Sequence, residues 1–251
     1  MINKYIKKVN NKQTLENMRN LFTDIRFYMG KSVVDGLMGE AYVDDLESPQ
    51  FGVLLVREYC FISGNIEKNI LRDMLTSEFK DYKIIPDDRN KVIIEEIFQK
   101  DINILQRYSF YKEPKFNIEQ LKDNIKKIKE PYKIIEINEN IACKIRDNNF
   151  IRITDNYKER GIGCCCIIDE NIIGVATSNI IYNEGIEVNI KVSEEYRRKG
   201  IASALASYLI IMCVDRNLKV SWDAANLNSV GLAKKLGFIY AGPYNIYTFN
   251  N

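Results

Sequence analysis

The sequence predicts an α/β protein in two parts. An N-terminal α/β accessory domain is expected over residues 1–130. A C-terminal α/β domain is expected over residues 131–251. Three observations carry this. Runs with period-two apolar alternation, such as Ile186-Glu187-Val188-Asn189-Ile190-Lys191-Val192, are interleaved with helically periodic runs, such as Ala204 to Cys213. A polar, lysine-rich stretch between Pro114 and Pro131 marks a seam. Both halves also run hairpin, helix, strand, helix, strand. Two explanations fit that order equally: a diverged duplication with a degenerate first copy, or two α/β segments that share a common order.

In chain order, Thr14 to Met29 reads as a helix with Thr14 as its N-cap. Phe51 to Val56 and Tyr59 to Ser63 read as strands, the second ended by Gly64-Asn65. Ile66 to Phe79 has helical periodicity. Tyr82 to Ile85 is a strand stopped by Pro86, Asn90 to Gln99 a helix, Ile104 to Tyr111 strand-like, and Asn117 to Lys129 a helix. From Tyr132 come a strand, a helix over Glu139 to Arg146, and an irregular or helical stretch to Tyr157. Strands Gly163 to Ile168, Ile172 to Ile180 and Gly185 to Val192 follow. Helix Lys199 to Arg216, strand Leu218 to Trp222, helix Asn226 to Leu236 and two short strands close the chain.

Composition narrows the function classes. The 251 residues are 46% hydrophobic and 28% charged, as in an ordinary globular protein. A net charge of +2 gives no general pull toward nucleic acid or membrane. No apolar run reaches membrane-span length, and Met1-Ile2-Asn3-Lys4-Tyr5 has no apolar signal core. The six cysteines lack metal-ligand spacing, which points to reduced thiols in the cytoplasm. Cys164, Cys165 and Cys166 alternate faces on one strand, so they cannot form a single metal cage and read as small apolar packing groups. The chain has no histidine. Histidine-based triads, His-ligated zinc and a histidine general base are therefore excluded, and acid–base work falls to carboxylate, Tyr, Cys, Lys, a terminal amine or water. Asp44, Asp45 and Glu47 form an acidic loop that would suit a cationic substrate, although solvated turn residues explain it better.

The most informative stretch is Tyr196-Arg197-Arg198-Lys199-Gly200-Ile201-Ala202, between a strand and a long helix. A helix start offers unpaired N–H groups and the positive end of its dipole. Gly200 lets an anion approach the backbone, Ala202 is small enough not to block it, and the three basic residues add charge. Arg197-x-x-Gly200-x-Ala202 resembles the coenzyme-A pyrophosphate motif of the GNAT superfamily of N-acetyltransferases. Asn226 to Phe238, ending in Leu236-Gly237-Phe238, resembles the second signature of that superfamily. Gly185-Ile186-Glu187 and Ser221-Trp222-Asp223-Ala224-x-Asn226 resemble a branch found in Firmicutes. Similarity to that branch reaches upstream to Tyr42-Val43-Asp44-Asp45 and Cys60-Phe61-Ile62-Ser63-Gly64.

The resemblance implies a GNAT fold over the C-terminal domain, a mixed, mostly antiparallel sheet flanked by helices, and acetyl transfer from acetyl-CoA to a primary amine of a small molecule or peptide. No metal, nucleic acid or membrane is implied, and the chain would act as a monomer or homodimer. Arg197, Arg198, Lys199, Gly200, Ile201 and Ala202 would hold the pyrophosphate. The main chain of Ile190 and Val192 would bond the pantetheine arm, joined by Asn226, and an N–H near Val192 would polarise the thioester. Glu187 lies where many relatives carry the general base, and a carboxylate in a half-buried cleft gains proton affinity. A surface-facing glutamate is the equal alternative. Asn189, Trp222 and Asp223 are candidate substrate contacts, with a packing role favoured for Trp222. Ala233 stands where many GNAT enzymes place a tyrosine that protonates the leaving thiolate. Tyr244, ahead of Tyr240 and Tyr247, or water would then supply that proton. The runner-up is a non-catalytic acyl-CoA-binding sensor. The first copy lacks the cradle residues at Gly64-Asn65-Ile66-Glu67-Lys68, so it should not bind coenzyme A and would wall the substrate cleft.

Overall fold

The computed structural model describes residues 4–154 and 157–249. Met1, Ile2 and Asn3 of the N-terminal run, and Asp155 and Asn156 of the stretch before Tyr157, lie outside the described residues. In chain order the elements are β1 (Lys7–Lys8), α1 (Lys12–Met18), α2 (Lys31–Val34), β2 (Glu40–Val43), β3 (Phe51–Val56), β4 (Tyr59–Gly64), α3 (Lys68–Thr76), β5 (Lys83–Pro86), α4 (Asp88–Phe98) and β6 (Ile102–Phe110). Then come α5 (Ile118–Lys126), β7 (Lys133–Glu136), α6 (Glu139–Asp147), α7 (Tyr157–Arg160), β8 (Gly163–Ile168), β9 (Asn171–Tyr182), β10 (Gly185–Val192), α8 (Ile201–Asp215), β11 (Lys219–Ser221), α9 (Leu227–Leu236) and β12 (Tyr240–Phe249).

The chain divides into two compact units, Met1–Ser109 with Gly242–Asn251, and Phe110–Ala241. The seam expected near residue 131 falls inside the second unit. The lysine-rich stretch is no linker: its apolar side carries Leu121 into the core, α5 packs on α8, and Asn124 Nδ2 donates to Ser207 Oγ at 3.1 Å.

The first unit holds a seven-stranded sheet in the order β1-β2-β3-β4-β5-β12-β6. Its core gathers Phe51, Val53, Ile62, Leu71, Met74, Ile84, Ile94 and Tyr247. The single helix expected over Thr14 to Met29 is instead α1 followed by two 3-10 turns, Arg19–Phe22 and Ile25–Gly30. Asn11, not Thr14, caps α1, accepting from Thr14 N at 2.8 Å, while Thr14 Oγ1 donates to Leu46 O. The two short closing strands are one, β12, which belongs to this sheet. The acidic loop serves turns: Asp44 Oδ1 accepts from Gln50 N and Phe51 N, and Asp45 Oδ1 from Glu47 N and Ser48 N.

The second unit holds a five-stranded sheet in the order β11-β10-β9-β8-β7. Helix α8 packs on β8, β9 and β10. Buried apolar residues of α6 pack with Cys165 and Val175 of the sheet. This double cover explains the cysteine triplet. Cys164, Cys165 and Cys166 are all buried, and the Cys164 thiol donates to Leu205 O of α8. Burial raises all three thiols, Cys165 to about 12 and Cys166 to about 11.

The strand order repeats between units. In each, three strands pair antiparallel, a helix follows, and the next strand joins the third strand in parallel: β2-β3-β4-α3-β5 and β8-β9-β10-α8-β11. The last strand of each series, β6 and β12, then lies in the first sheet, side by side. This shared pairing pattern favours duplication over coincidence.

Candidate active site

Strands β10 and β11 run together for only three rungs, Gly185↔Lys219, Ile186↔Val220 and Glu187↔Ser221. Beyond them β11 ends and β10 continues to Val192. On its other side β10 stays paired with β9, with a register shift between Glu187 and Val188 that leaves Asn179 as the extra residue of β9. A bulge adds local twist, and here it lies at the level where the two strands part. Ser193 donates its N–H to Ile173 O of β9 at 2.9 Å. Period-two alternation therefore turns the main-chain groups of Ile190 and Val192 to the opposite edge, the one β11 has left. An edge with unpaired amides and carbonyls is a template for an extended ligand.

The chain then enters the glycine turn. Arg198 and Gly200 both have left-handed backbones, with φ of 62° and 81°. Helix α4 is capped by Asp87, and α5, α6 and α9 by Asn117, Asn138 and Asn226. Helix α8 instead opens on Gly200, with no side-chain cap. Its first amide with an acceptor among the described residues is that of Ala204, bonded to Gly200 O at 3.0 Å. A Cβ built at Gly200 meets nothing within 4 Å, so the space beside the helix start is open. A group of opposite charge would be held there by several N–H donors and the helix dipole.

The three basic residues differ in what they already hold. Arg197 pairs with Glu194 at 2.9 Å, and its Nε donates to Val192 O at 3.4 Å. Lys199 Nζ donates to Tyr132 OH at 3.2 Å and lies over the Tyr132 and Tyr196 rings. Arg198 is exposed and has no partner among the described residues. It is the cation with its charge uncommitted.

Glu187 is buried, 5% exposed, and its Oε2 contacts Ser221 Oγ. It is therefore not a surface carboxylate. Ser221 also lies 3.0 Å from Ile186 O, which accepts a hydrogen bond from Tyr182 OH at 3.1 Å. No role for Ser221 was read from the sequence. Its importance comes from the register Glu187↔Ser221, which joins residues 34 apart. Asn189 Nδ2 donates to Arg152 O at 3.0 Å. Trp222 is buried, donates Nε1–H to Ser229 Oγ at 3.0 Å, and packs on Phe238 at 5.2 Å between centroids. It ties the end of β11 to α9 as a packing anchor. Asp223 follows it, half-buried. Asn226 caps α9, its Oδ1 accepting from Ser229 N at 3.0 Å. Gly237 ends that helix at φ 107°, where a Cβ would strike Lys115 O at 2.3 Å. That clash is the physical reason for glycine in Leu236-Gly237-Phe238.

Ala233 is fully buried. Of the three tyrosines, Tyr244 and Tyr247 belong to the first unit and Tyr240 to the second. Tyr244 is buried in β12. Tyr247 is fully buried and its hydroxyl donates to Glu95 Oε1 at 2.6 Å; burial and then that carboxylate raise its pKa. Tyr247 is thus committed to the core.

The corresponding place in the first unit is filled from within. Strand β5 stays paired with β4 through Ile62↔Pro86, and Asp87 N–H adds a bond to Ile62 O. Asp87 Oδ2 accepts from Gly64 N at 2.8 Å and Ser63 Oγ at 3.1 Å, and Asn65 N donates to Gln50 O. Asp87 thus closes the end of β4, whereas the start of α3, like that of α8, carries no side-chain cap.

Among the described residues, no group of three or more His, Cys, Asp or Glu is arranged to hold a metal ion, and no helix is long and apolar enough to cross a membrane. The family model for GNAT acetyltransferases matches residues 19–247. The chain is similar to the uncharacterized N-acetyltransferase YdfB of Bacillus subtilis, 23% identical over 226 residues that cover 83% of this chain and 85% of the relative. It is also similar to the crystal structure of a GCN5-related N-acetyltransferase-like protein from Streptococcus suis. That match has a TM-score of 0.82 and 28% identity, covering 95% of this chain and 99% of the other. A tandem GNAT protein from the clavulanic acid biosynthesis pathway shares the fold, with a TM-score of 0.59 and 9% identity over 96% of this chain and 97% of the other.

Proposed function

The chain belongs to the GNAT acetyltransferase family, and on that premise we propose that it transfers an acetyl group from acetyl-CoA to a primary amine of a small molecule or peptide in the cytoplasm. One observation carries the reading. A single unit combines an open, uncapped helix start beside unpartnered Arg198 with a strand edge left unpaired beyond Glu187. The first suits a pyrophosphate and the second an extended, amide-bearing arm. Coenzyme A carries both.

Arg198 and the amides of Gly200, Ile201 and Ala202 bind the pyrophosphate, with Arg197 and Lys199 flanking it. The main chain of Ile190 and Val192 bonds the pantetheine arm, and Asn226 stands at the start of α9 beside it. A thioester is already activated toward a neutral amine, so holding the two together supplies much of the rate and no metal is needed. The amine nitrogen attacks the carbonyl carbon, the C–N bond forms and the C–S bond breaks. The products are an amide and the coenzyme-A thiol. The nitrogen's proton goes to Glu187, directly or through water, and the thiolate takes a proton from solvent. An N–H near Val192 polarises the carbonyl. The free, largely buried thiols fit a reducing compartment.

Thiol release from acetyl-CoA, measured against a panel of polyamines, amino sugars and peptide N-termini, tests the reading. Release that depends on an added amine supports it. Tight acetyl-CoA binding with no turnover on any amine would replace it with the sensor.

A further inference from the structure

Resting on the assignment of Glu187 as base, we infer that Ser221 is its positioning residue: a hydroxyl that satisfies the carboxyl group in both protonation states without moving it. The argument is a count of protons. Ser221 Oγ carries one hydrogen and lies against two oxygens, Glu187 Oε2 and Ile186 O, the latter at 3.0 Å. A hydroxyl donates once and accepts twice. When Glu187 is ionised, Ser221 donates to Oε2, and Ile186 O keeps the hydrogen bond from Tyr182 OH. When Glu187 has taken a proton on Oε2, that group donates to Ser221 Oγ, and the serine hydrogen turns to Ile186 O. Glu187 gains one proton, Ser221 neither gains nor loses one, and no heavy atom is displaced.

A buried base without such a partner loses a hydrogen bond in one of its two states, and a buried polar group left unsatisfied is costly. A hydroxyl that rotates avoids this in both halves of the proton cycle. The placement is also built. Ser221 is the last residue of β11 and sits opposite Glu187 on the last shared rung, so the sheet itself sets their separation. Tyr182, 2% exposed, holds Ile186 O from its other side.

The test is a double-mutant cycle in the full chain, with steady-state kinetics and acetyl-CoA calorimetry. Ser221→Ala should lower kcat roughly tenfold to a hundredfold, leave acetyl-CoA affinity and KM unchanged, and be restored by Ser221→Thr. In a Glu187→Gln background, Ser221→Ala should cost nothing further, because it acts through the carboxyl group. If Ser221→Ala does not fold, Ser221→Cys serves, being close in size but a weak donor and acceptor; it too should be slow. A kinetically silent Ser221→Ala beside an impaired Glu187→Gln overturns the inference alone. An equal loss in both backgrounds overturns it in favour of a structural role. A silent Glu187→Gln removes the base assignment and the inference with it.

Discussion

Glu187 and Ser221 face each other on the last rung that β10 and β11 share. One residue further, no strand among the described residues pairs with β10 on that side. The base candidate therefore sits at the root of the unpaired edge, where a thioester bonded along Ile190 and Val192 would be followed toward Glu187 by its acceptor.

Glu187→Gln keeps the size of the side chain and removes the proposed base. It should lower kcat by roughly 10²- to 10⁴-fold with acetyl-CoA affinity nearly unchanged. Steady-state kinetics beside calorimetry check this, and a change of only a few-fold would transfer attention to Asp223.

Much of the second unit was legible because its signals are local. The limits of β10 match the alternating run from Gly185 to Val192, and Asn226 and Gly237 bound α9 as cap and stop. The glycine turn stood out because Arg197, Arg198 and Lys199 lead into Gly200 between that run and a long apolar helix. What local signals cannot carry is partnership across the chain. The Glu187↔Ser221 rung joins two ordinary residues, and β12 follows α9 in sequence yet completes the first unit's sheet between β5 and β6. The helix near Thr14 failed for a local reason: its apolar period continues past Met18, but Asp24 caps a new turn through Arg26 N.

Strand β12 should be essential to the first unit. Tyr247 is fully buried in its core and donates to Glu95, while Phe249 packs edge-on against Phe98 at 4.8 Å. Tyr247→Ala should cost about 3–5 kcal/mol, whereas Tyr247→Phe should cost about 1–3 kcal/mol for leaving Glu95 without its donor. Denaturant melts would show it. A Tyr247→Ala protein as stable as the parent would contradict the placement of β12.

Thiol chemistry offers an independent check of the second sheet's double cover. Cys143 is the one exposed cysteine among the six, and burial raises Cys165 and Cys213 to about 12. A disulfide reagent at neutral pH should therefore find one fast thiol in the native protein and the other five only after denaturation. Four or more fast thiols would include one of Cys164, Cys165 and Cys166 and would mean that β8 is not covered on both faces.

Arg198→Ala isolates the uncommitted cation. Alanine at φ 62° is under the same backbone constraint as arginine, so the change removes charge with little effect on the fold. Affinity for acetyl-CoA should fall and become less sensitive to added salt. Arg197→Ala should have the smaller effect, because Arg197 already pairs with Glu194.

The central claim is that coenzyme A binds at the open start of α8, and calorimetry of acetyl-CoA with Gly200→Val tests it most directly. A Cβ at Gly200 meets nothing within 4 Å beyond its chain neighbours, so the new side chain enters open space at the start of α8. Its left-handed backbone adds strain of about 1–3 kcal/mol, which a thermal melt reports separately. The account predicts a folded protein with no measurable acetyl-CoA binding. A folded Gly200→Val protein with parental affinity would contradict it.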